Sequence, residues 1–226
     1  SKLERKYRDA SLEVENSLKS ELIFDQATSI FPIVDEPSYR MFVSGLSGSG
    51  KSTFISNFIK HNKPEAVFLF SPVKQDKALD SIKNLIRLDL EEFFEETGRE
   101  IEPEDIPKGS TVIFDDIESY KKGVAKVYME FRDILLERGR HLDISTICVS
   151  HNATNGHATK VSIREAQYWV LFPKFNARDT RNILKLYGGL DTKQIGKILE
   201  MKSRWVFYKK TVPKYAVGEH AVVAFE

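Results

Sequence analysis

Cysteine is almost absent: Cys148 stands alone in 226 residues, so no disulfide can form within the chain, which fits a reducing compartment. It lies in the apolar run Ile147-Cys148-Val149, where a buried, reduced thiol is expected rather than a nucleophile. No stretch approaches the roughly 20 apolar residues of a membrane span, and no signal-peptide pattern opens the chain. An excess of either charge is missing too, since 34 Lys and Arg stand against 33 Asp and Glu, for a net charge of +1. Whole-chain electrostatics therefore carry no sign of a nucleic-acid partner, while leaving room for a local basic surface. There is no internal repeat and no low-complexity tract. These absences lead to the expectation of a soluble intracellular protein. The chain opens on Ser1 rather than Met, which leaves room for a segment before it.

What is present is ordinary for a globular protein: 41% hydrophobic and 30% charged residues, in a chain long enough to bury a substantial core. Residues 1–22 mix dense charge (Lys2, Glu4, Arg5, Lys6, Arg8, Asp9) with Leu3, Tyr7, Leu12, Val14, Leu18 and Leu22, and read as a charged helix packed on the body or on a neighbour. Pro32 and Pro37 make the following stretch an extended connector. This divides the chain into an appendage over 1–37 and a main domain over 38–226. Within the latter, apolar runs at about 40–44, 66–70, 111–114, 144–149 and 168–172 read as strands covered on both faces. Helical patterns alternate with them, at 76–97, in a long amphipathic segment with Val124, Val127, Tyr128, Phe131, Ile134 and Leu135, and at 178–186 and 191–200. A loop is expected over 152–160. Late strands at 204–208 and 220–225 are expected to pair through a turn around Pro213 and Gly218. The alternation predicts one α/β domain with a mainly parallel central sheet and antiparallel strands near its end.

Three places carry chemistry. Gly45-Leu46-Ser47-Gly48-Ser49-Gly50-Lys51-Ser52, between the apolar Met41-Phe42-Val43 and a helical segment starting with Thr53, is the strand, G-x-x-x-x-G-K-[ST], helix arrangement of a P-loop. Its glycines let the backbone wrap a polyphosphate, so that amide groups and the positive helix end face the anion. Lys51 then reaches the terminal phosphates and Ser52 offers its hydroxyl to Mg²⁺. Thr111-Val112-Ile113-Phe114-Asp115-Asp116 has the form of a Walker B element, with two acids at a strand's carboxyl end, the edge that borders the ligand crevice of a parallel sheet. Finally, Ile144 to Val149 runs out into Ser150-His151-Asn152. A separate strand at 66–70 lies between the P-loop helix and the acids, the plan of P-loop motor ATPases.

The ordered set of P-loop, Val112-Ile113-Phe114-Asp115-Asp116, and Arg138-Gly139-Arg140-His141 leading to Ile144 through His151 resembles the genome-packaging ATPases of large eukaryotic DNA viruses, of the poxvirus type, within the FtsK/HerA group of DNA-pumping motors. The resemblance covers roughly residues 38–210 and implies a P-loop NTPase of the ASCE (RecA/FtsK-HerA-like) type. It implies ATP and Mg²⁺ as cofactors, a ring of five or six subunits, and double-stranded DNA gripped without regard to sequence. Capsid or internal-membrane proteins of the virion become expected partners, and the host cytoplasm (viral factory) or the virion the expected location. In that frame Asp115 joins Ser52 at Mg²⁺ and Asp116 orients the attacking water, with Glu118 as the alternative because the group's usual Glu is here an aspartate. The group's usual Gln or Asn at the sensor position is replaced by Ser150-His151-Asn152, so either His151 or Asn152 can contact the γ-phosphate. Arg138 and Arg140 either enter a neighbouring subunit's site or stabilise the helix end as cations. The 152–160 segment, with His151, His157 and Lys160, and Lys209, Lys210 and Lys214 are candidates for contact with the DNA backbone. Two other readings stay open: a nucleotide or nucleoside kinase, with Arg178 and Arg181 imitating a lid, and a nucleotide-binding assembly module without turnover.

Overall fold

Strands with two apolar faces need helices on both sides, and the chain supplies them in alternation. The computed structural model describes residues 21–25, 29–34, 36–153 and 156–225. In chain order these form β1 (Glu21–Ile23), β2 (Arg40–Ser44), α1 (Lys51–Asn62), β3 (Val67–Phe70), β4 (Leu85–Arg87), α2 (Leu90–Thr97), β5 (Thr111–Asp115), α3 (Lys122–Arg138), β6 (Ser145–Ser150) and α4 (His157–Glu165), then β7 (Tyr168–Leu171), α5 (Ala177–Leu186), α6 (Thr192–Glu200), β8 (Val206–Lys209), β9 (Lys214–Val217) and β10 (Ala221–Phe225). The strands make one sheet in the order β1-β10-β9-β8-β7-β2-β6-β5-β3-β4. From β7 to β4 neighbouring strands are parallel, and from β7 to β1 they are antiparallel. β6 separates the P-loop strand β2 from the acid-bearing strand β5, with Phe42 opposite Cys148 and Phe114 opposite Cys148 in turn.

The period-2 alternation of the strands sorts the core into two faces. On one face Met41, Val43, Ile113, Ile147 and Val149 pack with Phe54, Ile55, Phe58 and Ile59 of α1. On the other, Phe42, Cys148 and Trp169 meet Ile163 of α4, Ile183 and Leu184 of α5, and Ile195 and Ile198 of α6. Beside them Phe68, Phe70, Val112 and Phe114 pack with Leu90 of α2 and Tyr128, Phe131 and Leu135 of α3. Cys148 is buried and free, and its burial pushes the thiol up to about 11.

Three expectations are corrected, and a fourth lies almost wholly outside the described residues. Residues 76–97 are not continuous helix: a single tight turn at Leu79–Ser81 is followed by β4, which pairs Leu85 with Val67 and Arg87 with Leu69 before α2 begins. The spacing of Leu79, Ile82, Leu85 and Ile86 imitates a helix, but the open edge of β3 takes a strand partner, so tertiary pairing overrides periodicity. β8 does not pair with β10; β9 lies between them, with turns on either side, and Pro213 precedes that strand, where its missing N–H costs no ladder bond. Residues 157–160 are the first turn of α4 rather than loop. The charged helix over 1–22 falls outside the described residues except for Glu21 and Leu22, which are extended in β1 and pair with Val223 and Val222. Among the described residues no helix is long and apolar enough to cross a membrane.

Candidate active site

The P-loop leaves the carboxyl end of β2 and turns into α1. Gly48 and Gly50 have φ of 76° and 108°, in the left-handed region that favours glycine. Gly45 is required by crowding, since a Cβ there would lie 2.7 Å from Ser49 Oγ and 2.8 Å from the Phe172 ring. No side chain caps α1 and no acid stands in its first turn. Its positive end is therefore left uncompensated towards the loop, the condition for holding an anion. Leu46, Ser47 and Thr53 are exposed around this mouth, while Ser49 is buried with its hydroxyl unpartnered.

Around the loop the sheet gathers charge from three strand ends. Lys51 Nζ donates to the carbonyls of Gly45 (2.6 Å) and Leu46 (3.2 Å) and lies 3.2 Å from His151 Nδ1. His151 Nε2 is in turn 3.4 Å from Asp116 Oδ2. An ammonium can only donate, so Nδ1 accepts from Lys51 and the imidazole N–H sits on Nε2, facing the Asp116 carboxylate. Burial lowers the pKa of Lys51, against the pull of Asp115 and Asp116. Asp115, the last residue of β5, accepts from Ser71 Oγ at 3.0 Å. Its pKa is raised by burial first, with the like charges of Asp116 and Asp76 adding to it. Asp116 sits at φ 51°, a conformation uncommon for a residue other than glycine, and accepts from Ser119 Oγ at 2.5 Å.

Two participants carry no motif. Ser52 Oγ donates to Asp76 Oδ2 at 2.8 Å, and the other oxygen of Asp76 accepts from the N–H groups of Ala78 and Leu79 at 2.9 and 3.0 Å. Asp76 lies just beyond the carboxyl end of β3, on the same edge as Asp115; the only signal for it was an acid shortly after a buried strand. Arg204, ahead of β8, donates from Nε to Ser49 O (2.9 Å) and from Nη2 to Gly48 O (3.2 Å), and its guanidinium lies 5.4 Å from the centre of the Phe175 ring. It ties the antiparallel part of the sheet to the outer carbonyls of the P-loop.

The other sequence candidates are spread over the molecule. Glu118 is turned inward: Oε1 is 3.7 Å from Arg132 Nη1, Oε2 is buried without a partner, and burial raises its pKa. Arg132, itself buried, also donates to Asp133 Oδ1 (2.8 Å) and to the Ala158 carbonyl (3.0 Å). Asn152 is exposed, with its backbone N–H 3.4 Å from Ser150 Oγ, so of the two sensor candidates His151 is the one in contact with the P-loop. Arg138 and Arg140 are exposed at the amino-terminal ends of the parallel strands, opposite the P-loop edge, and Arg138 pairs with Glu104. Lys210 Nζ donates to the carbonyls of Ile163 and Arg164, and Lys214 Nζ to that of Gly188. Arg178 and Arg181 are exposed on the regular helix α5.

Ser52, Asp115 and Asp76 are hard oxygen donors on one edge, and Asp116 and Asp76 add like charge to the buried Asp115, which a divalent cation would offset. That donor set fits Mg²⁺, which takes one or two protein oxygens and completes its shell with water and phosphate. Among the described residues no three His, Cys, Asp or Glu side chains converge as a self-sufficient metal cage.

A glycine-rich loop after β2, acids at the end of β5 and a histidine just past β6, the strand between them, give this chain the fold and motif order of a P-loop NTPase. Solved structures with this fold include the genome packaging NTPase B204 from Sulfolobus turreted icosahedral virus 2. Its sulfate complex is 14% identical with a TM-score of 0.52, covering 80% of this chain and 95% of that one. Its AMPPCP complex is 14% identical at 0.50, covering 77% and 93%. The cytoplasmic domain of the Thermomonospora curvata type VII secretion ATPase EccC is 14% identical at 0.51, covering 84% of this chain and 25% of that one. No family model matches the sequence. The "Uncharacterized protein V3" of Sputnik virophage is 32% identical over 213 residues, 89% of this chain and 83% of that protein, and the chain belongs to its family.

Proposed function

We propose that this protein is an ATP-hydrolysing motor that translocates double-stranded DNA and packages a viral genome into a capsid. The observation that carries the reading is the chain of contacts from Lys51 through His151 to Asp116, which joins the phosphate loop to the acid at the end of β5. The fold of a viral genome packaging NTPase and a family that includes a virophage protein support packaging as the work done.

Phosphoryl transfer to water needs positioning and charge neutralisation more than covalent chemistry. The P-loop amides hold the β- and γ-phosphates, and Lys51 exchanges its carbonyl partners for phosphate oxygens. Asp116 orients the attacking water, with Glu118 behind it. His151, holding Lys51 on one nitrogen and Asp116 on the other, is placed to register whether the γ-phosphate is there. Ser52 and Asp115 would hold Mg²⁺, which when bound would neutralise phosphate charge. Asp76 accepts the hydrogen bond of the Ser52 hydroxyl and so leaves an oxygen lone pair free for the metal. Asp76→Asn is therefore expected to raise the Mg²⁺ concentration at which a non-hydrolysable ATP analogue protects the protein from thermal unfolding, by about 10- to 100-fold. An unchanged Mg²⁺ midpoint would remove that role.

Arg138 and Arg140, on the edge away from their own P-loop, suit entry into a neighbouring subunit's site, which makes turnover depend on assembly into a ring of five or six. DNA is held through its phosphates rather than read, and the segment 152–160, with Lys160 exposed on α4, is the candidate surface. Capsid or internal-membrane proteins are the partners this places beside the ring, in the viral factory or the virion. The test is ATP hydrolysis measured with and without double-stranded DNA across a protein concentration series. Turnover per subunit is expected to rise with both. Turnover indifferent to DNA and concentration would overturn the motor, and phosphate transfer to an added nucleoside would replace it with a kinase.

A further inference from the structure

The charged groups of the site all lie to one side of β2. Ser44, the last residue of that strand, is opposite Ser150 of β6 on one side and Leu171 of β7 on the other. Towards β6 and β5 stand His151, Asp115 and Asp116, the groups that act on Lys51. A nucleotide whose terminal phosphate meets Lys51 there must extend its nucleoside away from them, towards β7 and β8. Leu171 is in turn opposite Val206, the first residue of the antiparallel β8. The segments just after β7 and just before β8 therefore emerge on the P-loop edge, and they bring Phe175 and Arg204.

These two side chains make a pair at the mouth of the loop. Arg204 Nε donates to Ser49 O at 2.9 Å and Nη2 to Gly48 O at 3.2 Å, while its backbone N–H donates to Glu219 Oε2 at 2.8 Å. The guanidinium is thus fastened along one edge, and it lies over the Phe175 ring, 5.4 Å from the centre. Gly50 leaves room for it, since a Cβ there would stand 3.3 Å from Arg204 Nε. Phe175 remains 40% exposed, and Arg204 is exposed as well. A lone exposed aromatic is ordinary on a protein surface. One covered by a guanidinium that is itself fastened to P-loop carbonyls is a ready stacking surface, because nucleobases stack on aromatic rings and on arginine planes alike.

We propose that Phe175 and Arg204 form the subsite for the base of the bound nucleotide, with the base stacked against the pair. The subsite rests on the ATP reading above and concerns its nucleoside end, for which the sequence carries no motif. Stacking engages the face of a base, which every nucleobase has, so the pair supplies affinity more than choice between bases.

Calorimetric titration of the full-length protein with a non-hydrolysable ATP analogue and with inorganic tripolyphosphate, each with Mg²⁺, tests it. Phe175→Ala removes the ring and leaves the bonds from Arg204 to the loop in place. It is expected to weaken binding of the analogue by about 5- to 100-fold and to leave tripolyphosphate within about twofold of wild type. Arg204→Lys keeps a cation beside the loop but not the plane, and is expected to weaken the analogue by more than it weakens tripolyphosphate. Equal losses on both ligands in both variants would mark residues that only shape the loop, and would overturn the subsite. Analogue binding indifferent to both variants would overturn it as well. Lys51→Ala separates the subsite from the reading beneath it, being expected to weaken both ligands. A wild type that binds neither ligand fails the ATP reading itself, whereas tripolyphosphate binding that depends on Lys51, beside analogue binding that ignores Phe175 and Arg204, fails the subsite alone.

Discussion

Lys51→Ala is expected to lower ATP turnover by about 10³-fold or more, to background in an ordinary phosphate-release assay, while the protein folds as before. In the proposed mechanism the amine is the P-loop cation that meets the terminal phosphates, and losing one donor aimed at developing charge costs about 10²–10³ in rate. Here the loss also frees His151 Nδ1 and removes the positive partner of Asp115 and Asp116, so the acids repel the phosphate unopposed. Stability responds differently. Burial penalises the ammonium, and its bonds to Gly45 and Leu46 offset that cost, so the unfolding midpoint should move by no more than about 2–4 °C. The ligand response separates a site effect from a folding effect. Saturation at about 100 times Kd stabilises the wild type by about 2.7 kcal/mol, and the variant should lose most of that shift. Wild-type turnover in Lys51→Ala would dismiss the P-loop assignment itself.

The legible parts of the molecule were those whose chemistry is local in sequence. Gly45–Ser52 is eight contiguous residues whose backbone shape the glycines dictate, and Asp115-Asp116 stands at the end of a buried strand, so motif and position agree. The six parallel strands follow from apolar runs, except β4, whose short Leu85-Ile86-Arg87 is made a strand by the edge of β3 rather than by its own pattern. β9 was hidden for a related reason: Lys214, Tyr215, Ala216 and Val217 are too mixed to signal a strand until β8 and β10 lie on either side. Asp76 and Arg204 were invisible because their roles exist only in three dimensions, 24 and 155 residues from the P-loop atoms they bond. Between His151 and Asn152 the choice rested on which way adjacent side chains point at the end of β6, a matter of strand phase that the loop after Ser150 obscures.

Asp116→Asn and Glu118→Gln divide the remaining ambiguity over the water-orienting acid, and the structure favours unequal outcomes. Asp116 is held in its φ 51° conformation with its carboxylate fixed by Ser119 Oγ and beside His151. Such fixation lets a carboxylate orient a water without reorganising. Replacing it by the amide keeps the shape and removes the acceptor charge, for an expected loss of about 10²–10⁴ in kcat with ATP affinity retained. Glu118 faces Arg132 instead, and its free oxygen is buried, so a water reaches it only after the turn moves. Glu118→Gln should cost less than about tenfold. Its stability should fall little, because Asp133 and the Ala158 carbonyl still satisfy Arg132, whereas Arg132→Ala leaves Glu118 and Asp133 without their cation and should destabilise by about 3–5 kcal/mol. Single-turnover kinetics on the two acid variants decide the matter. A collapse in Glu118→Gln with Asp116→Asn nearly intact would move the base to Glu118 and make Asp116 the residue that holds His151 in place.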